Sequence, residues 1–95
     1  MLLKVKQLVV ENAGWKRNIT SKDIYINSNN IVSVSDYIGA KDFLLSEGSE
    51  FSNSAFSLIK IGLGNKTEEV IAFGPAESFY SMIRGEAKGR RLLND

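Results

Sequence analysis

Short β-patterned runs, separated by glycine, asparagine and serine, fill most of the chain and restrict it to a fold built around a sheet. Leu2 to Val10 alternates apolar residues with lysine, and Asp23 to Val34 alternates isoleucine with polar residues. Phe56 to Leu63 and Glu69 to Phe73 flank a turn rich in glycine and asparagine, which is typical of a hairpin. Because alternation with period two buries one face of a strand, we predict a small antiparallel sheet.

Two stretches of this sheet each fit more than one interpretation. Trp15 to Ile19 fits either a second strand or an irregular segment. Asp23 to Val34, which is interrupted at Ser28–Asn30, fits a hairpin with an asparagine-rich turn or one long strand broken by a bulge or bend. We favour two short strands here and expect four to five strands in total.

The apolar spacing becomes helical between Asp36 and Gly48, which predicts a short helical insert near residues 37–47. Asp36 is the expected N-cap of this helix, and Gly48 is expected just past its end. Gly39 lies inside the insert, where glycine weakens a helix by about 1 kcal/mol relative to alanine. A polar, glycine-containing loop is expected from Ser46 to Ser54.

A C-terminal amphipathic helix is predicted after the last strand. Pro75 suits its first position, Arg84 is its expected last residue, and Gly85 its cap. We expect Phe73 and two residues of its apolar stripe, Phe79 and Tyr80, to pack in the core. The stripe has the spacing i, i+3, i+4 and i+7 and consists of Ala76, Phe79, Tyr80 and Ile83.

These elements predict an α+β fold with one domain over residues 1–85 and a basic, loosely ordered tail over residues 86–95. The chain has 95 residues, which suits a single domain. It contains no cysteine and no histidine, so thiolate zinc sites and the usual general base are excluded. We therefore expect no enzyme, no metal site and no cofactor. The start of the chain lacks a signal-peptide pattern and no run is long enough to span a bilayer, so the expected location is the cytoplasm, away from membranes.

Candidate binding residues fall into an aromatic and a basic group. Aromatic side chains in polar surroundings often anchor interfaces, although a small domain also needs them for its core; they are Trp15, Tyr25, Tyr37 and Phe51. The basic group could contact phosphates or an acidic partner, or could be a solvated tail; it consists of Arg84, Lys88, Arg90 and Arg91. Lysine and arginine could also form a second basic face if the N-terminal segments pair, but we favour their role as protection of a sheet edge; these residues are Lys4, Lys6, Lys16 and Arg17.

Part of the sequence resembles small bacterial and phage proteins of the FlbD-like group, over about residues 23–83. The resemblance is carried by Asp23-Ile24-Tyr25-Ile26-Asn27, Ile31-Val32-Ser33-Val34, Leu58-Ile59-Lys60-Ile61 and Val70-Ile71-Ala72-Phe73-Gly74-Pro75-Ala76-Glu77. It implies strands followed by one helix and implies no chemistry. Residues 37–53 depart from it, since they replace a short tight hairpin. The composition, rich in Asn, Lys, Ile and Ser, is similar to that of accessory proteins of AT-rich phages and mobile elements.

The expected function is a small non-enzymatic interaction module that self-associates. It would be a phage or mobile-element accessory protein that acts on a host protein or sequesters a small ligand. The alternative is a nucleic-acid-binding protein that uses the basic tail, although the net charge of only +1 means that any such surface is local.

Overall fold

A computed structural model describes the backbone of residues 2–94 and the side chains of residues 2–12 and 14–85. It confirms the α+β class, with five antiparallel strands in one sheet and two helices. The strands are β1 (Leu2–Ala13), β2 (Lys16–Asn27), β3 (Ile31–Asp36), β4 (Phe56–Leu63) and β5 (Lys66–Phe73). The helices are α1 (Gly39–Ser46) and α2 (Ala76–Asn94), and short 3₁₀ turns occupy Ser28–Asn30 and Glu50–Asn53.

Two hairpins build most of the sheet. β1 and β2 pair without interruption from Leu2↔Asn27 to Ala13↔Lys16, so the uncertain Trp15–Ile19 segment is strand from Lys16 onward. Gly14 opens the turn of this hairpin with φ 65°, a conformation that glycine adopts at little cost. β4 and β5 form the second hairpin, which confirms that prediction, although β5 begins three residues earlier than expected.

The order of the strands is β2-β1-β5-β4-β3, which places β2 and β3 at opposite edges. Asp23–Val34 therefore contains parts of two strands that do not pair with each other. The favoured division of this stretch into two strands is confirmed, whereas their pairing as a hairpin and the alternative of a single bent strand are wrong. Sequence patterning locates strands but carries no information about which edge a strand occupies.

The short link between the two edge strands requires the sheet to curl. Strands lie about 4.8 Å apart, so the edges of a flat five-stranded sheet would be about 19 Å apart. The chain from Asn27 to Ile31 reaches at most about 14 Å. β1 and β5 are joined only at Gln7↔Ala72, and this thin contact is where the two hairpins splay apart. The β1–β2 hairpin nevertheless contributes apolar side chains to both faces of the curled sheet.

Apolar clusters cover both faces of β5. Val70 and Ala72 lie in the first cluster, and Ile71 and Phe73 pack against the second. The first cluster, which includes Phe79 of α2, consists of Leu3, Val5, Ile26, Ile59, Ile61, Val70, Ala72 and Phe79. The second cluster includes two residues of α1 and consists of Leu8, Ala40, Leu44 and Phe56.

The end of α1 is as predicted, but its start is not. Gly48 has φ 67°, and the Gly48 and Ser49 N–H groups donate to the Leu45 and Leu44 carbonyls, which is the Schellman pattern. Asp36 does not cap α1, because the helix begins only at Gly39. The Asp36 carboxylate instead accepts a 2.8 Å hydrogen bond from the N–H of Ala76, at the start of α2.

α2 begins where the sequence predicted, and Phe79 is buried as expected. Tyr80, by contrast, is 58% exposed, so its predicted place in the core is wrong. Successive helical residues are about 100° apart, and only the Phe79 side of α2 faces the first cluster. The helix also continues past Gly85 to Asn94, because glycine costs a helix only about 1 kcal/mol and does not stop it alone. The domain boundary at residue 85 and the looseness of the tail stay predictions.

We expect Asp36→Ala to lower the free energy of unfolding by about 1 kcal/mol, since it leaves the first N–H of α2 without its acceptor. Asp36→Asn keeps an acceptor oxygen and should lose less. Urea unfolding followed by circular dichroism measures both variants. Equal losses from Asp36→Ala and Asp36→Asn would contradict the capping role.

Candidate functional site

Trp15 stands at the tip of the β1–β2 hairpin, in the turn between the two strands. It is the only tryptophan of the chain, and it is 95% exposed. Large aromatic side chains usually gain free energy by burial, so a tryptophan held almost wholly in water is unusual. The tip therefore presents the most exposed large apolar group among the described side chains.

An ion pair ties the hairpin tip to the end of α1. Arg17 donates from Nη1 to Oε1 of Glu47 at 3.1 Å, and its guanidinium lies 5.4 Å from the centre of the Phe43 ring. Because both charged side chains are partly exposed, the pair contributes less than about 1 kcal/mol to stability. Its structural effect is to hold the tip beside α1.

Two depressions flank this ion pair. One has a volume of about 470 Å³ and is lined by Trp15, Lys16, Arg17 and Glu47. The other has about 220 Å³, and it shares Arg17 and Glu47 but also includes Phe51. We call these residues together, Trp15, Lys16, Arg17, Glu47 and Phe51, the tip surface. The structure thus brings two of the four aromatic candidates to one surface.

Phe51 and Tyr37 also take part in the second cluster. Phe51 is half-buried, and its ring meets that of Phe73 edge-to-face, with 5.1 Å between ring centres. The half-buried Tyr37 ring lies over Gly39, where an added Cβ would be only 2.9 Å from it. A side chain larger than glycine at position 39 would therefore require the Tyr37 ring to move. Both aromatic residues, Phe51 and Tyr37, therefore have packing roles within the fold.

Tyr25 lies far from the tip surface. It is 63% exposed and stands opposite Lys4 in the β1–β2 ladder. It is ten positions along the chain from Trp15, which corresponds to about 33 Å along a strand. A single small ligand cannot contact both side chains of one chain.

The described part of the basic group lies on α2, away from the tip. Arg84 folds back along its own helix, donating from Nη1 to the Tyr80 hydroxyl at 3.2 Å. The side chains of Lys88, Arg90 and Arg91 fall outside the described residues.

The second basic face forms only in part. Lys4, Lys6 and Arg17 share one face of the β1–β2 hairpin, whereas Lys16 lies on the other. Two of these cations already face carboxylates, since Lys4 lies 3.8 Å from Asp23 and Arg17 pairs with Glu47. Among the described side chains, those of residues 2–12 and 14–85, no three acidic groups cluster as metal ligands would.

The sequence did not reveal Glu47 as a functional candidate. Glu47 and Arg17 are 30 positions apart, and no local pattern predicts that α1 packs beside β2. An apolar groove between β3 and α2 was missed for the same reason. Only the strand order shows which of the charged and apolar residues that are distant in the chain lie side by side on one surface.

Comparisons with protein-family models, with curated proteins and with solved structures find no match. The resemblance to FlbD-like proteins accordingly stays a prediction. Within residues 2–94, no helix is both long and apolar enough to cross a membrane.

Because Trp15 is the only tryptophan and is almost fully exposed, its fluorescence should be that of tryptophan in water. We expect the emission maximum to stay in place when urea unfolds the chain, and iodide to quench the folded and unfolded forms about equally. A red shift on unfolding would contradict this exposure. Circular dichroism in the same samples confirms that unfolding has taken place.

Proposed function

We propose that this chain is a non-enzymatic interaction module that binds another protein through the tip surface and also self-associates. The observation that carries the proposal is the exposure of Trp15 at the end of a long, fully paired hairpin. Tryptophan is among the residues most enriched at the energetic centres of protein interfaces. Its burial against a partner would remove roughly 150–250 Å² of largely apolar surface from water.

The pairing of the strands supports a binding role. The two strands pair up to the turn that carries Trp15, so the backbone at this position is ordered by the ladder on both sides. A backbone that is ordered before binding loses less conformational entropy when a partner binds. The neighbouring depressions could receive a partner's side chains, and their mixed charges, with Arg17 beside Glu47, suit a protein surface better than a phosphate backbone.

The remaining parts of the proposal rest on composition. With neither cysteine nor histidine, the chain lacks the side chains that most often act as nucleophile or general base near neutral pH. A chain without disulfides suits the proposed cytoplasmic location, away from membranes. The proposed setting is a phage or mobile element, with a host protein as the partner or a small ligand held between copies.

Trp15→Ala should weaken capture of the partner by about thirtyfold or more, as expected for an interface centre worth at least about 2 kcal/mol. The measurement is a pull-down from lysate with the immobilised chain, followed by titration of the captured protein. Stability should change by less than about 0.5 kcal/mol, because the side chain makes no buried contact.

Tyr25→Ala is the matched control, because it removes another exposed aromatic ring far from the tip. It should leave capture unchanged. If Tyr25→Ala abolishes capture and Trp15→Ala does not, the tip surface is the wrong one.

Nucleic-acid binding through the basic tail is the second proposal. One observation favours it: the backbone of α2 is helical to Asn94, and Arg84, Lys88 and Arg91 have the spacing i, i+4 and i+7 of one helical stripe. A charged stripe of this kind could follow a phosphate backbone.

We expect deletion of residues 86–95 to abolish any salt-sensitive mobility shift of DNA or RNA. Replacement of Lys88, Arg90 and Arg91 by glutamine keeps the length of the tail and should have the same effect. The absence of a shift with the unaltered chain at low salt would rule the proposal out, because electrostatic binding is strongest there.

A further inference from the structure

An apolar groove lies between the edge strand β3 and helix α2. Its volume is about 510 Å³, and it contains none of the residues of the tip surface. Three of the residues that line it are half-buried apolar side chains that pack against the first cluster. Tyr80, which also lines the groove, is mostly exposed. The lining consists of Ile31, Val34, Ala76, Glu77, Tyr80 and Ile83.

A bulge in β3 creates the strand side of this groove. Ile31 stands opposite Ile61, and Val34 stands opposite Ile59, yet three positions separate Ile31 from Val34 and only two separate their partners. The extra residue turns both side chains to the same face, whereas an unbulged strand would point them in opposite directions. A bulged edge is a poor template for another strand, so a helix is the better occupant of the groove.

Helix α2 carries opposite charges beside the groove, since Glu77 lines it and Arg84 directly follows its last lining residue, Ile83. Glu77, Tyr80 and Arg84 have the spacing i, i+3 and i+7, so they form one stripe of α2 with the tyrosine between the charges. Glu77 and Arg84 are about 10 Å apart along the helix axis. Arg84 is held along the stripe by its hydrogen bond to Tyr80, and its guanidinium lies 5.6 Å from the centre of that ring.

We propose that this groove binds α2 of a second copy of the chain, antiparallel to the first and related to it by a twofold axis near Tyr80. In this arrangement Glu77 of each copy lies opposite Arg84 of the other, which forms two ion pairs at once. A parallel arrangement would bring like charges together. The charge pattern of the stripe is therefore complementary to itself in one orientation only.

The same arrangement accounts for the exposure of Tyr80. The two tyrosine rings meet at the centre of the interface, where aromatic side chains contribute most. The groove and the tip surface share no residue, so both copies keep their tips free. A dimer would then present two Trp15 side chains to a partner and could bind a repeated or dimeric protein with avidity.

Charge exchange on α2 tests the proposal, measured by sedimentation equilibrium of the full chain over a wide concentration series. Glu77→Arg and Arg84→Glu each replace two attractive pairs by two repulsive ones, so each should weaken dimerisation by at least about tenfold. The double variant Glu77→Arg/Arg84→Glu restores both pairs and should recover dimerisation. Thermal unfolding by circular dichroism checks that every variant folds.

Two reversals outside the groove serve as matched controls. Glu69→Arg changes an exposed residue of β5 and Lys41→Glu an exposed residue of α1, and neither should alter dimerisation. The inference is overturned if both single reversals on α2 still dimerise, or if the folded double variant stays monomeric. In either case the unaltered chain still self-associates, but through another surface.

If the unaltered chain is itself a monomer, both this inference and the proposed self-association on which it rests are overturned. Binding of another protein through Trp15 is tested separately.

Discussion

The β1–β2 hairpin places apolar side chains in both clusters from opposite faces, and the rest of the structure depends on this division. Its open end buries Leu3 and Val5 in the first cluster, whereas Leu8, nearer the tip, lies in the second. Faces alternate along a strand, so Leu8 points away from the side that Val5 occupies. A slip of one residue would expose both sets together, and the register of the hairpin is therefore strongly determined.

This arrangement also positions the tip surface and the groove between β3 and α2. Burial of the tip half of the hairpin against α1 brings Arg17 to Glu47 and leaves Trp15 beyond the last packed residues. Burial of Phe79, with the hydrogen bond from Ala76 to Asp36, sets α2 across β3 and forms the groove. Both surfaces border buried apolar clusters. The proposed self-association and the proposed binding of another protein therefore use separate surfaces.

Local sequence patterns predicted most of the strands and helices, but they predicted few of the tertiary contacts between them. Alternating residues revealed β1, β4 and β5, and the i, i+3, i+4 spacing revealed α2. Trp15 was recognised as a candidate because its neighbours are polar, which is a local property. Asp36 was assigned to the wrong helix because its acceptor serves an N–H forty positions away. Tyr80 was assigned to the core because it belongs to the apolar stripe of α2. The stripe shows which side of a helix is apolar, but the sheet that packs against the helix decides how much of that side is buried.

The sequence alone determined that the chain is α+β, that it has neither cysteine nor histidine, and approximately where most strands and both helices lie. These properties follow from residue type and short-range periodicity. Only the tertiary structure decided that β2 and β3 occupy opposite edges, that α1 supports the hairpin tip, and that a groove separates β3 from α2. The reason is physical: strand pairing and sheet curl bring together residues that are distant in the chain, and no local pattern records which of them will meet.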